Sequence, residues 1–411
     1  MTGLATGAGP PGPLGRAGPV VTGVGVLSAA GRGLTALTAA AVHGKAAFAP
    51  VTRFDVSGRR TTRAALLPDA LPPDSVLPDS VLPDSVRPGA ARRPTEPPAG
   101  AVPPAESVLD AIGQACHQAG LTPADHAALP VLLALHSDER TRVTATAVAA
   151  GLRASRGAPG VTRVYTGACV AAATAVADAA ALVATGRHER VLVAAVHLVG
   201  PGVFAVFDAG RALARDGELR PFSAGRTGTL LGDAAAAVVV EAAAAADRRG
   251  ATVLARLAGW GRSGDAHHVC RPEPDGTGVA RAVEAALARA GVAPAEVGYV
   301  NANGTGSPLS DLAEARALRR VFGRHTDRLP VSSSKSVHGH ALEASALLEL
   351  AVTVGALESG LLPVNAGWLG PDPDVGLDLV LDGPRAARPA YALSLNSAFG
   401  GANTALLLAP G

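Results

Sequence analysis

Cys169 lies in the run Val164-Tyr-Thr-Gly-Ala-Cys-Val-Ala-Ala-Ala-Thr-Ala-Val-Ala177, a β-rich stretch followed by an alanine-rich helical one. That places a thiol at or next to a helix N-terminus, where unpaired N–H groups and the macrodipole favour an anion. The thiol pKa is therefore expected to fall toward the thiolate, the nucleophilic form. Three segments downstream carry polar side chains suited to a thiol-centred site: Tyr299-Val-Asn-Ala-Asn303-Gly-Thr-Gly306-Ser-Pro, Ser332-Ser-Ser-Lys335-Ser-Val-His-Gly-His340 and Asn396-Ser-Ala-Phe399-Gly-Gly-Ala-Asn403. A thiolate that takes an acyl group from a thioester also needs donors for the developing oxyanion and polar groups to steer a second reactant.

In this order the four segments resemble the β-ketoacyl synthases of fatty-acid and polyketide assembly, over residues 20–45 and 105–411. The resemblance implies Cys169 as nucleophile and an oxyanion hole from the backbone N–H groups of Cys169 and Phe399. Gly400 and Gly401 would let backbone approach backbone there. It further implies that His340 faces the reacting carbonyl or the nucleophile and that Lys335 holds the local network. Glu314, eleven residues after Asn303, matches the acidic partner of that lysine, and Asn403 helps to shape the site. The implied fold class is α/β, a duplicated thiolase-like fold in five layers (α-β-α-β-α) with two mixed sheets.

One position departs from the family pattern. Asn303 stands where the family usually carries its first active-site histidine. In decarboxylating synthases two histidines stabilise the enolate left when a malonyl extender loses carbon dioxide. Imidazole donates, accepts and titrates near neutrality, whereas an amide cannot take up a proton in this range. Losing one such donor costs about 3–4 kcal/mol. Other departures point the same way. The segment from His136 to Thr166 is short, Val170-Ala171 replaces the common serines, and Gly232-Asp233-Ala234 replaces Gly-Glu-Gly.

The elements that must position these groups alternate along the chain. Strands are predicted at 20–27, 131–135, 191–195, 234–241, 297–300 and 391–396, and helices at 106–120, 171–185, 277–290 (closed by Gly291) and 343–357. Such alternation argues for α/β layers with mixed sheets. The series reads as a disordered tail over 1–19, an N-terminal half over 20–250 and a C-terminal half over 251–411. A proline-rich loop at 68–104 repeats Pro-Asp-Ser-Val at 73–76, 78–81 and 83–86. Gly23-x-Gly25 does not read as a dinucleotide fingerprint, because Ser28 ends the run and no acidic residue closes a following strand.

Composition narrows the function classes. Apolar residues make up 48 % of the 411 residues but aromatics only 3 %, so burial relies on many small side chains. A net charge of +2 without a basic run gives nucleic-acid binding little support. Three cysteines are too few and too scattered for a disulfide framework or a zinc cage. Cys116 and Cys270 read as small buried residues, His338 as structural and His267-His268 as loop surface. No metal or cofactor is expected. No signal peptide or bilayer-spanning stretch is visible, and the reading is a cytosolic protein.

The expected function is that of a ketosynthase-like acyltransferase of polyketide or related natural-product biosynthesis. Cys169 is loaded from an acyl carrier protein or acyl-CoA, and a non-malonyl alcohol or amine receives the acyl group with His340 as base. Two other readings stay open: decarboxylative carbon–carbon condensation with Asn303 as donor, and a chain-length-factor-like partner subunit. The retained Cys169, Lys335 and His340 argue against the last. The resemblance also implies a homodimer, or a heterodimer with a ketosynthase homologue.

Overall fold

The computed structural model describes residues 18–68, 103–158 and 160–411; the tail and most of the proline-rich repeat segment lie outside the described residues. The strand Pro19–Ser28 is buried along its whole length, as expected of a near-continuous apolar run covered on both faces. Beside it lie Ala234–Ala242, then Arg190–His197, Val131–Ala134 and Val161–Tyr165 at the edge. The first two pairings in this series are antiparallel and the last two parallel.

The C-terminal strands repeat the plan. Ala255–Gly264 is followed by Ala402–Pro410, Tyr391–Ser397, Val297–Asn301 and Pro330–Ser332, with the short Asp378–Leu379 beyond. Here too two antiparallel pairings precede the parallel ones. In each series the first strand of the chain pairs with the last, so the two share one topology. They meet where Val20 and Val21 pair with Arg256 and Ala255, which joins the eleven strands into one hydrogen-bonded path.

Helices complete the five layers. Pro104–Gln118 and Thr141–Arg156 cover the N-terminal sheet, and their core includes Leu109, Ile112, Val148 and Leu152. Thr277–Ala290 and Pro308–Phe322 cover the other sheet through Val283, Leu287 and Leu318. Between the sheets lie Ala171–Ala184 and Ser345–Ser359, whose Ala, Val and Leu side chains share one core with residues of both sheets. Among the described residues no helix is long and apolar enough to cross a membrane.

The two first strands are packed in the same way. A Cβ at Gly25 would lie 1.9 Å from the Ala111 carbonyl oxygen, and one at Gly261 would lie 1.9 Å from that of Ala282. The Gly23-x-Gly25 pair thus serves close helix–strand packing. Cys116 is buried as expected, but Cys270 is exposed on the loop after Ala255–Gly264, contrary to its reading as a buried residue.

Because the obstructing atoms are helix backbone, Gly25→Ala and Gly261→Ala should each destabilise the protein by about 1–3 kcal/mol, as overpacking does. Gly264→Ala, where an added Cβ meets nothing within 4 Å, should be close to neutral. Urea unfolding of the three variants against the parent checks this; equal midpoints for Gly261→Ala and Gly264→Ala would refute the packing argument.

Candidate active site

Cys169 sits on a single 3-10 turn, Ala168–Val170, that feeds directly into the helix Ala171–Ala184. Ala168 takes a left-handed φ of 51°, a sharp bend between strand and helix at which the thiol is placed. The Cys169 Sγ lies 3.1 Å from His340 Nε2. On the other side of the ring, His340 Nδ1 is 3.0 Å from Ser345 Oγ, which also accepts the Ala341 N–H at 2.9 Å. A proton on Nδ1, donated to the serine oxygen, leaves Nε2 as the acceptor facing the thiol. Backbone pairing between His340 and Leu230 and between Gly232 and His340 fixes the segment.

The electrostatics reverse one expectation. The Cys169 thiol is not lowered toward thiolate. Burial pushes it up to about 12, the Glu343 carboxylate adds to this, and the Lys335 charge only partly opposes it. The helix-terminus field acts, but desolvation of a fully enclosed thiol outweighs it. Burial and the Lys335 charge hold the His340 imidazole well below its ordinary range. At neutral pH the resting pair is therefore a neutral thiol hydrogen-bonded to a neutral imidazole.

Lys335 is completely buried in the short helix Lys335–His338. Its Nζ lies 2.5 Å from Glu349 Oε1 and donates to Asn303 Oδ1 at 3.1 Å. This corrects the sequence-based pairing of Lys335 with Glu314. Glu314 accepts the backbone N–H groups of Asn303 (2.7 Å) and Gly304 (2.8 Å) instead. The helix Pro308–Phe322 places its carboxylate beneath the 303–304 turn, while Glu349 reaches the lysine from the central helix. Burial raises Glu314 to about 7 against those two N–H bonds. It also pushes Glu349 up, and the Lys335 ammonium opposes it. With Oδ1 engaged by the ammonium, what buried Asn303 can offer a ligand is its Nδ2–H donors.

The segment after strand Tyr391–Ser397 behaves as an anchored turn. Phe399 is 52 % exposed, its ring 5.8 Å from that of Phe207. The Gly400 N–H donates to Val269 O at 2.7 Å, so Gly400 ties the turn to the 265–270 loop. Asn403 does the same from below. Its Nδ2 donates to Asp265 Oδ1 (2.6 Å) and Gly401 O (3.1 Å), and its Oδ1 accepts from Ser397 Oγ at 2.7 Å. Asn403 thus shapes the turn that carries Phe399.

Two parts of the site, and one cluster beside it, were not found from sequence. Glu349 had a signal, a single carboxylate in the otherwise apolar Ser345-Ala-Leu-Leu-Glu-Leu-Ala-Val run. Ser345 had none. His136, His197 and Glu343 converge from three distant parts of the chain, His136 Nδ1 lying 2.9 Å from Glu343 Oε1. His338 is buried between Gly339 O and Ser334 Oγ, a structural role, and His267 and His268 are exposed loop residues. In the Gly232-Asp233-Ala234 departure, the buried Asp233 carboxylate accepts the N–H groups of Leu67 (2.8 Å) and Val199 (2.6 Å) and pairs with Arg53, locking three segments together.

Comparison with known proteins places this geometry. Residues 19–246 match the family described as Beta-ketoacyl synthase, N-terminal domain, and residues 254–368 match Beta-ketoacyl synthase, C-terminal domain. The chain is 39 % identical over 244 residues to nodulation protein E of Rhizobium meliloti, covering 59 % of this chain and 60 % of that one. It is 33 % identical over 256 residues to 3-oxoacyl-(acyl-carrier-protein) synthase 2 of Staphylococcus aureus, covering 61 % and 64 %. The matched stretch spans about three fifths of these relatives' length. The solved ishigamide ketosynthase/chain length factor aligns with a TM-score of 0.84 at 26 % identity, over 96 % of this chain and 100 % of that one. A β-ketoacyl synthase from Burkholderia phymatum STM815 aligns at 0.82 and 26 %, over 96 % and 99 %. Both family matches, the thiolase-like layering and the Cys169–His340 pair agree, and the chain belongs to the β-ketoacyl synthase family.

Proposed function

We propose that this protein is a ketosynthase-like acyltransferase that loads an acyl group on Cys169 and passes it to an alcohol or amine rather than to a malonyl-derived enolate. The observation that carries the reading is the Cys169–His340 contact of 3.1 Å beside an Asn303 whose carbonyl is held by Lys335. As the donor thioester binds, His340 Nε2 takes the thiol proton while Sγ attacks the thioester carbonyl. The backbone N–H groups of Cys169 and Phe399 receive the oxyanion, and the carrier or CoA thiol leaves with the proton from His340. In the second half, Nε2 accepts the proton of the acceptor hydroxyl or amine as its oxygen or nitrogen attacks the acyl-enzyme. Collapse releases the ester or amide and returns the proton to Sγ. Asn303 can donate to a carbonyl but cannot exchange a proton, so enolate formation lacks one of its two imidazoles.

The donor is an acyl carrier protein or acyl-CoA. The protein works as a dimer, with itself or with a homologous ketosynthase. Supporting this, Val161–Tyr165 is, among the described residues, a sheet edge paired on one side only, with Thr162, Arg163 and Val164 exposed. An uncovered edge of this kind is a template for pairing with another chain.

Three outcomes are expected. First, in a Cys270→Ser background, which removes the exposed competitor, an acyl thioester should add one acyl group, lost in Cys169→Ala. The rate of Cys169 alkylation should climb about tenfold per pH unit across neutrality without levelling off below pH 9, because the thiol is raised to about 12. A plateau below pH 7 would instead reveal a lowered thiol.

Second, the native protein should release almost no carbon dioxide from malonyl carrier protein, and Asn303→His should raise that release by about tenfold or more if part of one donor's ~3 kcal/mol is recovered. Acyl transfer should change less. Brisk decarboxylation by the unmodified protein, with a β-ketoacyl product, would establish carbon–carbon condensation instead. Third, light scattering should report a dimer, and Val164→Asp should weaken it. A stable monomer at micromolar concentration, with no homologue recovered on co-expression, would count against the assembly.

A further inference from the structure

Beside the Cys169 site, His136, His197 and Glu343 bring three ligand-type atoms within 4.8 Å of one another. His136 follows the strand Val131–Ala134, His197 ends Arg190–His197, and Glu343 lies on the 3-10 turn Leu342–Ala344. No helical repeat produces this meeting; the fold assembles it from three separate elements. His136 Nδ1 is 2.9 Å from Glu343 Oε1, and His197 Nδ1 is 3.3 Å from Oε2. The two imidazoles thus flank one carboxylate, a nitrogen toward each oxygen. Glu343 and His197 side chains are 3 % and 2 % exposed, and His136 is 35 % exposed.

The buried polar atoms are poorly satisfied as they stand. Glu343 Oε2 and His197 Nε2 are enclosed without a hydrogen-bond partner. A buried carboxylate needs compensating positive charge, and a divalent cation held among the three side chains would supply it. With metal–nitrogen and metal–oxygen bonds of about 2.0–2.1 Å, neighbouring ligand atoms of a tetrahedral site are separated by roughly 3.3 Å. His136 Nδ1 and His197 Nδ1, 2.9 and 3.3 Å from different Glu343 oxygens, lie near that spacing, and the three ligand atoms lie within 4.8 Å of one another.

An approach also exists. Beside His136 and His197 a small cleft of about 40 Å³ is lined in part by Asp138, Arg140, Thr141 and Thr144. It gives access and room for a water as fourth ligand. Asp138 and Arg140 pair with each other at 3.0 Å, and the Thr141 hydroxyl donates to His136 O at 2.5 Å, which holds the backbone that presents the ring.

We propose that His136, His197 and Glu343 form a binding site for a divalent transition metal ion, zinc being the best match to two imidazoles and one carboxylate at tetrahedral spacing. The site lies outside the acyl-transfer machinery but is joined to it. Glu343 follows His340 by three residues through Leu342, which holds a left-handed φ of 41°. A bound ion would therefore tether the turn that carries the catalytic imidazole.

The test uses the full chain, stripped with chelator and titrated with cobalt(II), whose visible d–d bands report tetrahedral coordination. One equivalent should bind, zinc should displace it, and Cys169→Ala and Cys270→Ser should bind as the parent does. Loss of an outer-shell partner alone costs metal sites 10–100-fold in affinity, so Glu343→Gln and His136→Asn should weaken binding by at least about a hundredfold. His136→Asn is half-exposed and keeps the reading decisive if Glu343→Gln fails to fold. Absence of one-equivalent binding, bands that survive His136→Asn, or bands lost in Cys169→Ala or Cys270→Ser would each overturn the assignment.

Discussion

The active site is built around a fully buried ammonium. Lys335 has no access to water, so its charge must be met inside the protein, by Glu349 on the central helix and by the Asn303 carbonyl. Removing one partner of such a pair leaves an uncompensated buried charge and costs far more than the pair itself contributes. The segments 301–304, 332–340 and 345–349 are thereby held in one register. Asn301 adds to this, its amide donating to Ser334 Oγ, Glu349 O and Thr353 Oγ1. The lysine also projects a positive field onto Cys169 and His340, which helps hold the imidazole down and partly opposes the rise that burial gives the thiol. One cation thus fixes the geometry around a pair it does not touch and biases the protonation of both members.

Burial first, and the lysine field for the imidazole, explain why a histidine and a thiol so close together rest neutral. An imidazolium beside Lys335 would repel it, and a thiolate in so dry a place would lack solvation. In the mechanism proposed above, attack by Cys169 is accordingly coupled to transfer of its proton to His340. The 398–403 turn is held to the 265–270 loop by Gly400, Asn403 and Asp265 rather than by the core.

Much of the fold could be read from the chain. The strands at 20–27, 234–241 and 391–396 and the helix at 277–290 fall within a residue or two of those observed, because each is a clean apolar or amphipathic run ended by a turn residue. The edge strand Val161–Tyr165 and the helix Thr141–Arg156 were not read, since exposure blurs the periodicity of the first and polar residues that of the second. Cys169, Lys335 and His340 were legible through their motifs. The Glu314 assignment failed because sequence spacing cannot say which of two buried carboxylates a lysine reaches. The thiol failed in sign, because burial is a property of the tertiary structure and a helix terminus is not. The His136–His197–Glu343 cluster was invisible, its members standing 61 and 146 residues apart.

The ladder that joins the two sheets is short, Val20 with Arg256 and Val21 with Ala255, yet the helices Ala171–Ala184 and Ser345–Ser359 belong to one core with both. Each half of the chain therefore contributes one of the helices that the other half needs as its inner wall. Neither half has a complete interior of its own. Despite the internal pseudo-symmetry, the two halves share one interior, so a cavity opened on either central helix removes packing against both sheets.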